Sequence, residues 1–390
     1  MKSAPFSKMK FMVAGAIQQW QTPAPKIGGM PLGPVSEQVI LSVINDPTSK
    51  GNMYVQILLN QFKGKLDIER LQQAYQAMVD RHDALRTTFQ VIDGALLAEV
   101  HAAGSVKSEL KIINMLDVEA GSPSVMATLV DIGNAPMDLT IAPLGHLTLV
   151  CVAEDRYLLQ LRYCHGIMDG TSHLVWLNEL SALYNGKKLP KVQYQYSQFA
   201  GWQRNFLDPQ STGVIQQLKY WNQKLQGAPE LLELPTDYPR PPVCSFLGKI
   251  YSSTISTDLY DKIKTFMEDN RQSPWRIVLA AYVYTLQAYS QQPEAVVAMP
   301  RTTRLPTMAN VLGHFANFVP LRLCIDNSMT FLDICKYIGA VMKEASANGD
   351  VTFQSIIKEC RPVRSQAYVP VAQASVSVID QGNNEMGHAF

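Results

Sequence analysis

Residues 163–172 read Tyr163-Cys164-His165-Gly166-Ile167-Met168-Asp169-Gly170-Thr171-Ser172, and this stretch marks a switch from strand to helix. Before it, residues 146–165 alternate as a β-hairpin, with Ala153, Glu154 and Asp155 near the turn. In the second arm Tyr157, Leu159, Leu161, Tyr163 and His165 fall on one face, because strand side chains alternate. After it, a helix is predicted over 171–184, stopped by Asn185-Gly186. His165 therefore ends an apolar strand face, and Asp169 follows in a turn flanked by Gly166 and Gly170, which allow backbone angles that other residues resist. Such a junction can aim an imidazole into a cavity while the carboxylate turns to another partner. Histidine suits general-base work because its ordinary pKa is near neutrality. A strand-end histidine is also commonly a hydrogen-bonded structural residue, and Asp before Gly-Thr-Ser is commonly a helix cap. The residues by themselves leave both readings open.

Outward from this stretch the pattern is mixed α and β in both halves. Residues 1–34 are read as an irregular leader, rich in Pro and Gly over 21–34. Lys8 and Lys10 precede an apolar run at 11–17, but Gln18-Gln19-Trp20 makes a poor cleavage region for a signal peptide. A helix capped by Asp67 is predicted over 67–80, where Ile68, Leu71, Tyr75 and Met78 recur at helical spacing. A strand is predicted over 85–92. A polar, Pro-bearing zone at 186–195 leads to a second αβ region with helices over 215–226, 258–269, 275–290 and 330–347, and strands over 295–299, 317–325 and 371–379. This divides the chain into an N-terminal lobe at 35–205 and a C-terminal lobe at 206–390.

Composition narrows the chemistry. The 390 residues are 47% hydrophobic and 17% charged, with a net charge of +1, so no strong field draws in nucleic acid or an acidic membrane. The six cysteines stand at 151, 164, 244, 324, 335 and 360, never at CxxC spacing, and read as reduced thiols of a cytoplasmic protein. No run is long enough to cross a bilayer. There is no G-x-S-x-G elbow, Walker loop, GxGxxG turn or HExxH, which argues against serine hydrolases, nucleotide enzymes, Rossmann dehydrogenases and zinc proteases.

The run HGIMDG resembles the HHxxxDG signature of condensation domains in nonribosomal peptide synthetases and related acyltransferases. It comes in order with other likenesses. SEQVIL at 36–41 resembles the opening motif of that family, and RHDALRTTF at 81–89 is close to its RHxxLRTxF. YSQFAGWQ at 196–203 is similar to YxDFAxWQ, and residues 220–241 resemble the bridge between lobes. LGHFANFVPLRL at 312–323 is similar to GxFVNTLPLR, NGDVTFQSII at 348–357 to HQDVPFExLV, and 364–376 to the last signature segment.

The resemblance implies an α/β fold of α+β type: two chloramphenicol-acetyltransferase-like lobes in a V with a central tunnel, in a monomer. It implies an acyltransferase that joins a thioester-bound acyl or aminoacyl donor to an amine. Donor and acceptor arrive on phosphopantetheine arms of carrier proteins, or the acceptor is a free amine or alcohol; no bound cofactor, metal, nucleic acid or membrane is implied. His165 would be the catalytic base. Asp169 would be structural, paired with an arginine of the second lobe; Arg304 is the best match and Arg301 the second. Gly170 would keep the tunnel wall small, and Asn317, Arg322 and Ser172 are channel candidates. Cys164 stands where the family has its first His, and strand alternation points it away from His165. The chain ends at GNNEMGHAF soon after the last motif, so the second lobe is expected to be short at its end. No carrier motif or adenylation signature is present, which suggests a stand-alone or excised domain. Ester formation, epimerisation and a non-catalytic docking role are the alternatives.

Overall fold

A computed structural model describes residues 30–44, 54–245 and 248–378. The readings of 1–29 as leader and of the C-terminal tail beyond 378 lie outside the described residues.

The described chain folds as two units, one of residues 30–206 with 304–315, the other of 207–303 with 316–378. The sequence reading gave everything from 206 onward to the second lobe. Residues 304–315 instead belong to the first unit, because Leu305, Met308, Val311, Leu312 and Phe315 are buried in its core beside Trp176 and Phe199.

The first unit runs β1 (Met30–Pro31), α1 (Pro34–Ile44), β2 (Val55–Lys63), α2 (Ile68–Arg81), a 3-10 turn (Asp83–Arg86), β3 (Thr87–Ile92), β4 (Ala95–Val100), β5 (Leu110–Asn114), α3 (Pro123–Asn134), β6 (Gly145–Ala153), β7 (Arg156–Cys164), α4 (Gly170–Tyr184) and α5 (Tyr196–Phe206). Residues 30–34, counted with the irregular leader, are ordered: β1 pairs with β4, and α1 starts at Pro34. The strand predicted over 85–92 begins two residues late, because Leu85 and Arg86 lie in the 3-10 turn.

The hairpin at the centre of the sequence reading is the centre of a four-stranded sheet, ordered β2-β7-β6-β5. β7 is buried along its whole length after Arg156, which takes two different covers. Tyr157, Leu159, Leu161 and Tyr163 face the main core with α2 and α4. On the other face Leu158 joins Val125 and Leu129 of α3, while Gln160 donates to Leu129 O (3.0 Å) and Arg162 Nε to Gly133 O (3.1 Å). The last carbonyls of a helix have no partner within it, so Gly133 O near the end of α3 is open to Arg162, while Leu129 O, a turn earlier, takes Gln160 as a further donor; both let a polar side chain sit in a buried strand. Leu71, Tyr75 and Met78 of α2 and Trp176 and Leu180 of α4 supply the apolar stripes on the core face, at helical spacing.

The second unit contains α6 (Thr212–Leu225), α7 (Thr257–Asn270), α8 (Pro274–Ser290), β8 (Ala295–Thr302), β9 (Ala316–Leu323), α9 (Phe331–Ala347), α10 (Phe353–Cys360) and β10 (Ala374–Ser375). Its described sheet is ordered β10-β8-β9, with a core around Trp221, Leu279, Val283, Val297, Val319, Leu321, Ile338 and Ile356. The strand predicted over 371–379 shrinks to Ala374–Ser375 among the described residues. No described helix is long and apolar enough to cross a membrane.

Candidate active site

The end of β7 is pinned on both sides: Cys164 N donates to Leu144 O (3.0 Å) and His165 N to Tyr54 O (2.8 Å). The chain then turns tightly, with Ile167 N on Cys164 O (3.0 Å) and Ile167 and Met168 buried. The glycines are not needed for unusual backbone angles, since neither Gly166 nor Gly170 takes a positive φ. Gly166 is needed for space, because a Cβ there would lie 2.5 Å from Ile40 Cδ1. Gly170 is exposed at the start of α4, and a Cβ there would meet no atom within 4 Å.

His165 is half-buried, and its Nδ1 lies 2.8 Å from Met168 O. A carbonyl can only accept, so Nδ1 carries the hydrogen. In the neutral ring Nε2 then holds the lone pair, which is the form a general base requires.

Asp169 does two things at once. Its Oδ1 accepts from Ser172 N (2.8 Å), capping α4, and also from Arg304 Nη2 (3.0 Å). Its Oδ2 accepts from Phe315 N (3.0 Å). Ser172 Oγ donates to Gly313 O (2.7 Å) and accepts from Gly313 N (3.0 Å) and Arg304 Nη2 (2.7 Å). Arg304 also donates to Met308 O (3.0 Å) and to Val311 O, and its guanidinium lies 4.0 Å from the Phe315 ring centre. The side chains of Arg304 and Asp169 are only 7% and 4% exposed. Burial pulls the Arg304 pKa below its ordinary value, and the Asp169 charge pushes it back. A buried pair of this kind persists where further hydrogen bonds support both ions, and here both Asp169 oxygens and both Arg304 Nη groups have them.

The arginine that meets Asp169 thus comes from the second half of the sequence but belongs to the first unit. Arg301, three residues earlier, serves the other unit: it donates to Gly349 O (2.8 Å) and pairs with Asp350 (2.9 Å). Asn317 is buried there as well, donating to Val351 O (2.8 Å) and accepting from Phe353 N (3.2 Å). Arg322 pairs with Glu294 (2.7 Å) and donates to Gln226 O (2.8 Å) just past α6. These bonds of Asn317 and Arg322 run within the second unit and leave them as braces of its sheet and helices.

Behind the site, Tyr196 OH donates to His314 O (2.7 Å) and accepts from Ser36 Oγ (2.5 Å). Burial holds this phenol well above its usual range, so it stays a donor. A Cβ on Gly313 would collide with the Tyr196 ring, so only glycine fits. His314 is 4% exposed, and its ring stands at 87° to the His165 ring with centroids 4.7 Å apart. No sequence pattern marked it; its burial comes from the tertiary seat of 313–315.

Cys164 is inert by the same logic. It is buried, and burial pushes its thiol up to about 11, where thiolate is scarce. The RHDALRTTF segment is structural. Arg81 forks onto Glu179 (2.9 and 3.1 Å) and His82 Nε2 lies 2.6 Å from the same carboxylate. Burial works against the Glu179 charge, but these bonds outweigh it and hold the pKa below its ordinary value. Asp83 accepts from the first amides of α5, Tyr196 N (3.1 Å) and Ser197 N (3.0 Å). Together they tie α2, α4 and α5 into one frame. Among the described residues no group of three or more His, Cys, Asp or Glu is placed to hold a metal ion.

Comparisons with known proteins follow the same lines. A linear gramicidin synthase of Brevibacillus parabrevis is 31% identical over 319 residues, 80% of this chain and 6% of that protein. Gramicidin S synthase 2 of Brevibacillus brevis is 28% identical over 358 residues, 91% of this chain and 8% of that protein. The chain therefore spans less than a tenth of the length of either relative. The X-domain from teicoplanin biosynthesis superposes with a TM-score of 0.77 at 21% identity, covering 90% of this chain and 78% of that one. The first condensation domain of the calcium-dependent antibiotic synthetase, solved with a substrate analogue, gives 0.74 at 18% identity, covering 90% and 81%. These likenesses establish the chloramphenicol-acetyltransferase-like α/β fold that the sequence motifs implied. The family model described as Condensation domain matches residues 39–387, nearly the whole chain, and the protein belongs to the condensation-domain family of nonribosomal peptide synthetases.

Proposed function

We propose that this chain is a condensation acyltransferase that joins a thioester-bound acyl or aminoacyl donor to an amine, with His165 as general base. The observation that carries the reading is the Nδ1–Met168 O hydrogen bond, which leaves the Nε2 lone pair to meet an incoming proton. In the reaction the amine nitrogen attacks the thioester carbonyl, the C–N bond forms and the C–S bond breaks. Nε2 takes the proton that the nitrogen sheds and returns it to the departing thiolate. A thioester is already activated, so holding the reactants in line supplies most of the acceleration, about 7–11 kcal/mol. A base adds about 10²–10⁴-fold. The donor would arrive on the phosphopantetheine arm of a carrier protein and the acceptor on a second carrier or free in solution. The similarity to gramicidin synthases supports that setting.

A docking role is the second reading. One solved neighbour is a complex of the teicoplanin X-domain with OxyB, so the fold can serve as a platform for another protein. The test loads a carrier with an acyl group, adds amine or alcohol acceptors, and follows the intact mass of the carrier with wild type and His165→Ala. Loss of acyl that needs acceptor and falls about 10²-fold or more in the variant supports the base. The product mass separates amide from ester, and deuterium entering an aminoacyl α-carbon marks an epimerase. No transfer across a broad acceptor panel favours docking.

A further inference from the structure

We propose that His314 is a positioning residue for His165: a second imidazole whose ring holds that of the first, so that its Nδ1 stays on Met168 O and one tautomer is kept. The inference deepens the acyl-transfer reading and rests on it only for its kinetic consequence.

The seat of His314 is over-determined. Gly313 exchanges hydrogen bonds with Ser172 and accepts from Asp169 N, Tyr196 OH holds His314 O, and Phe315 N is bound to Asp169 Oδ2. The same carboxylate that caps α4 therefore also fixes the residue next to His314. From that seat the His314 ring stands perpendicular to His165 at 4.7 Å, and its environment includes the carbonyls of Met168 and His165. Met168 O is also the acceptor that sets the His165 tautomer. One hydrogen bond leaves an imidazole free to swing about its side-chain torsions, and a rigid ring at right angles removes that freedom.

The His314 Nδ1 is buried with no hydrogen-bond partner, a cost an apolar side chain would not carry. The imidazole is thus not explained by packing alone. The titratable and charged groups around it are His165, Asp169 with its partner Arg304, and the Tyr196 phenol. Burial, joined by the His165 charge, pulls the His314 pKa down to about 4. His314 is then uncharged when His165 takes a proton, and two adjacent imidazoles do not compete for it. The proton stays on His165 until the leaving sulfur collects it.

The test labels the histidine ring nitrogens of the full chain with 15N and reads the His165 tautomer near neutral pH. Wild type is expected to show one tautomer, with the hydrogen on Nδ1. In His314→Leu and His314→Gln, with amide spectra of a folded protein, the tautomers should mix. Single-turnover acyl transfer should then fall about tenfold or more, with KM for the loaded carrier unchanged. A mixed tautomer in wild type, or an unchanged His165 signal in either folded variant, overturns the proposal. His165→Ala reports separately on the acyl-transfer reading: if it leaves transfer intact, that reading fails while the tautomer result stands or falls by itself.

Discussion

Residues 304–315 and 316–323 follow one another without a break, yet they serve different parts of the molecule. The first segment spends Arg304, Gly313 and Phe315 on Asp169 and Ser172, and so on the loop that carries His165. The second is a strand whose polar side chains, Asn317 and Arg322, bond within their own unit. Arg301 and Arg304 make the same point at closer range. Both are partly or wholly buried and both meet an aspartate, but one meets Asp350 near its own sheet and the other Asp169 at the candidate active site. Sequence position therefore says little about the job of a buried arginine; its partner says nearly all of it.

The contrast can be broken from either side. The largest effect is expected at Asp169→Ala, which leaves the Arg304 guanidinium buried without a counter-charge. Breaking one side of a buried pair costs about 3–5 kcal/mol, and urea unfolding would register it. An effect below about 1 kcal/mol would mean the pair is not what holds the segment.

Next comes acid. An unfolded histidine takes its proton near pH 6.5, and buried His314 only at about 4. Between those values the unfolded chain binds more protons, so stability is full above about 6.5 and is lost as pH falls toward 4. The loss from this group is at most about 3 kcal/mol. Urea midpoints at neutral and acid pH should diverge in wild type and less so in His314→Leu. Burial depresses His146 and His173 in the same direction, so part of the slope should remain.

In the second unit, Asn317→Ala strands the Val351 carbonyl and the Phe353 amide, at about 1–3 kcal/mol. Hydrogen exchange should show the loosening in β9 and α10, with α4 amides unchanged. The smallest effect belongs to Arg322→Ala. Its pair with Glu294 is about a quarter exposed and is worth about 0.2–1 kcal/mol. Thermal unfolding would place it below Asn317→Ala.

How much of this was legible in the sequence follows from how local each signal is. The β6–β7 hairpin and α4 were legible because strand alternation, the Asp169 cap and the Asn185 stop all act within a few residues. Asp169 reads as a helix cap from its place before Gly-Thr-Ser and, through family likeness, as the partner of an arginine, and Oδ1 serves both. Arg304 was matched to Asp169 only through family likeness, since 135 residues separate them and no periodicity spans that distance. β2 was not read because it is an edge strand: Gln56, Asn60, Gln61 and Lys63 interrupt it, and Ile57 and Leu59 lie partly exposed. Arg322 was picked out by motif alone, and its partners Glu294 and Gln226 O, 28 and 96 residues away in sequence, carry no local signal.

The central claim is that a segment returned from the second half of the chain holds the His165 loop through Asp169 and Arg304. A double-mutant cycle with Asp169→Asn and Arg304→Gln tests it most directly, read by folding free energy and by acyl-transfer rate on the same samples. The two changes should be strongly non-additive, with a coupling of about 1–3 kcal/mol and a double variant no slower than the worse single one. Additivity within about 0.5 kcal/mol, with His165 still active in every variant, would contradict the account.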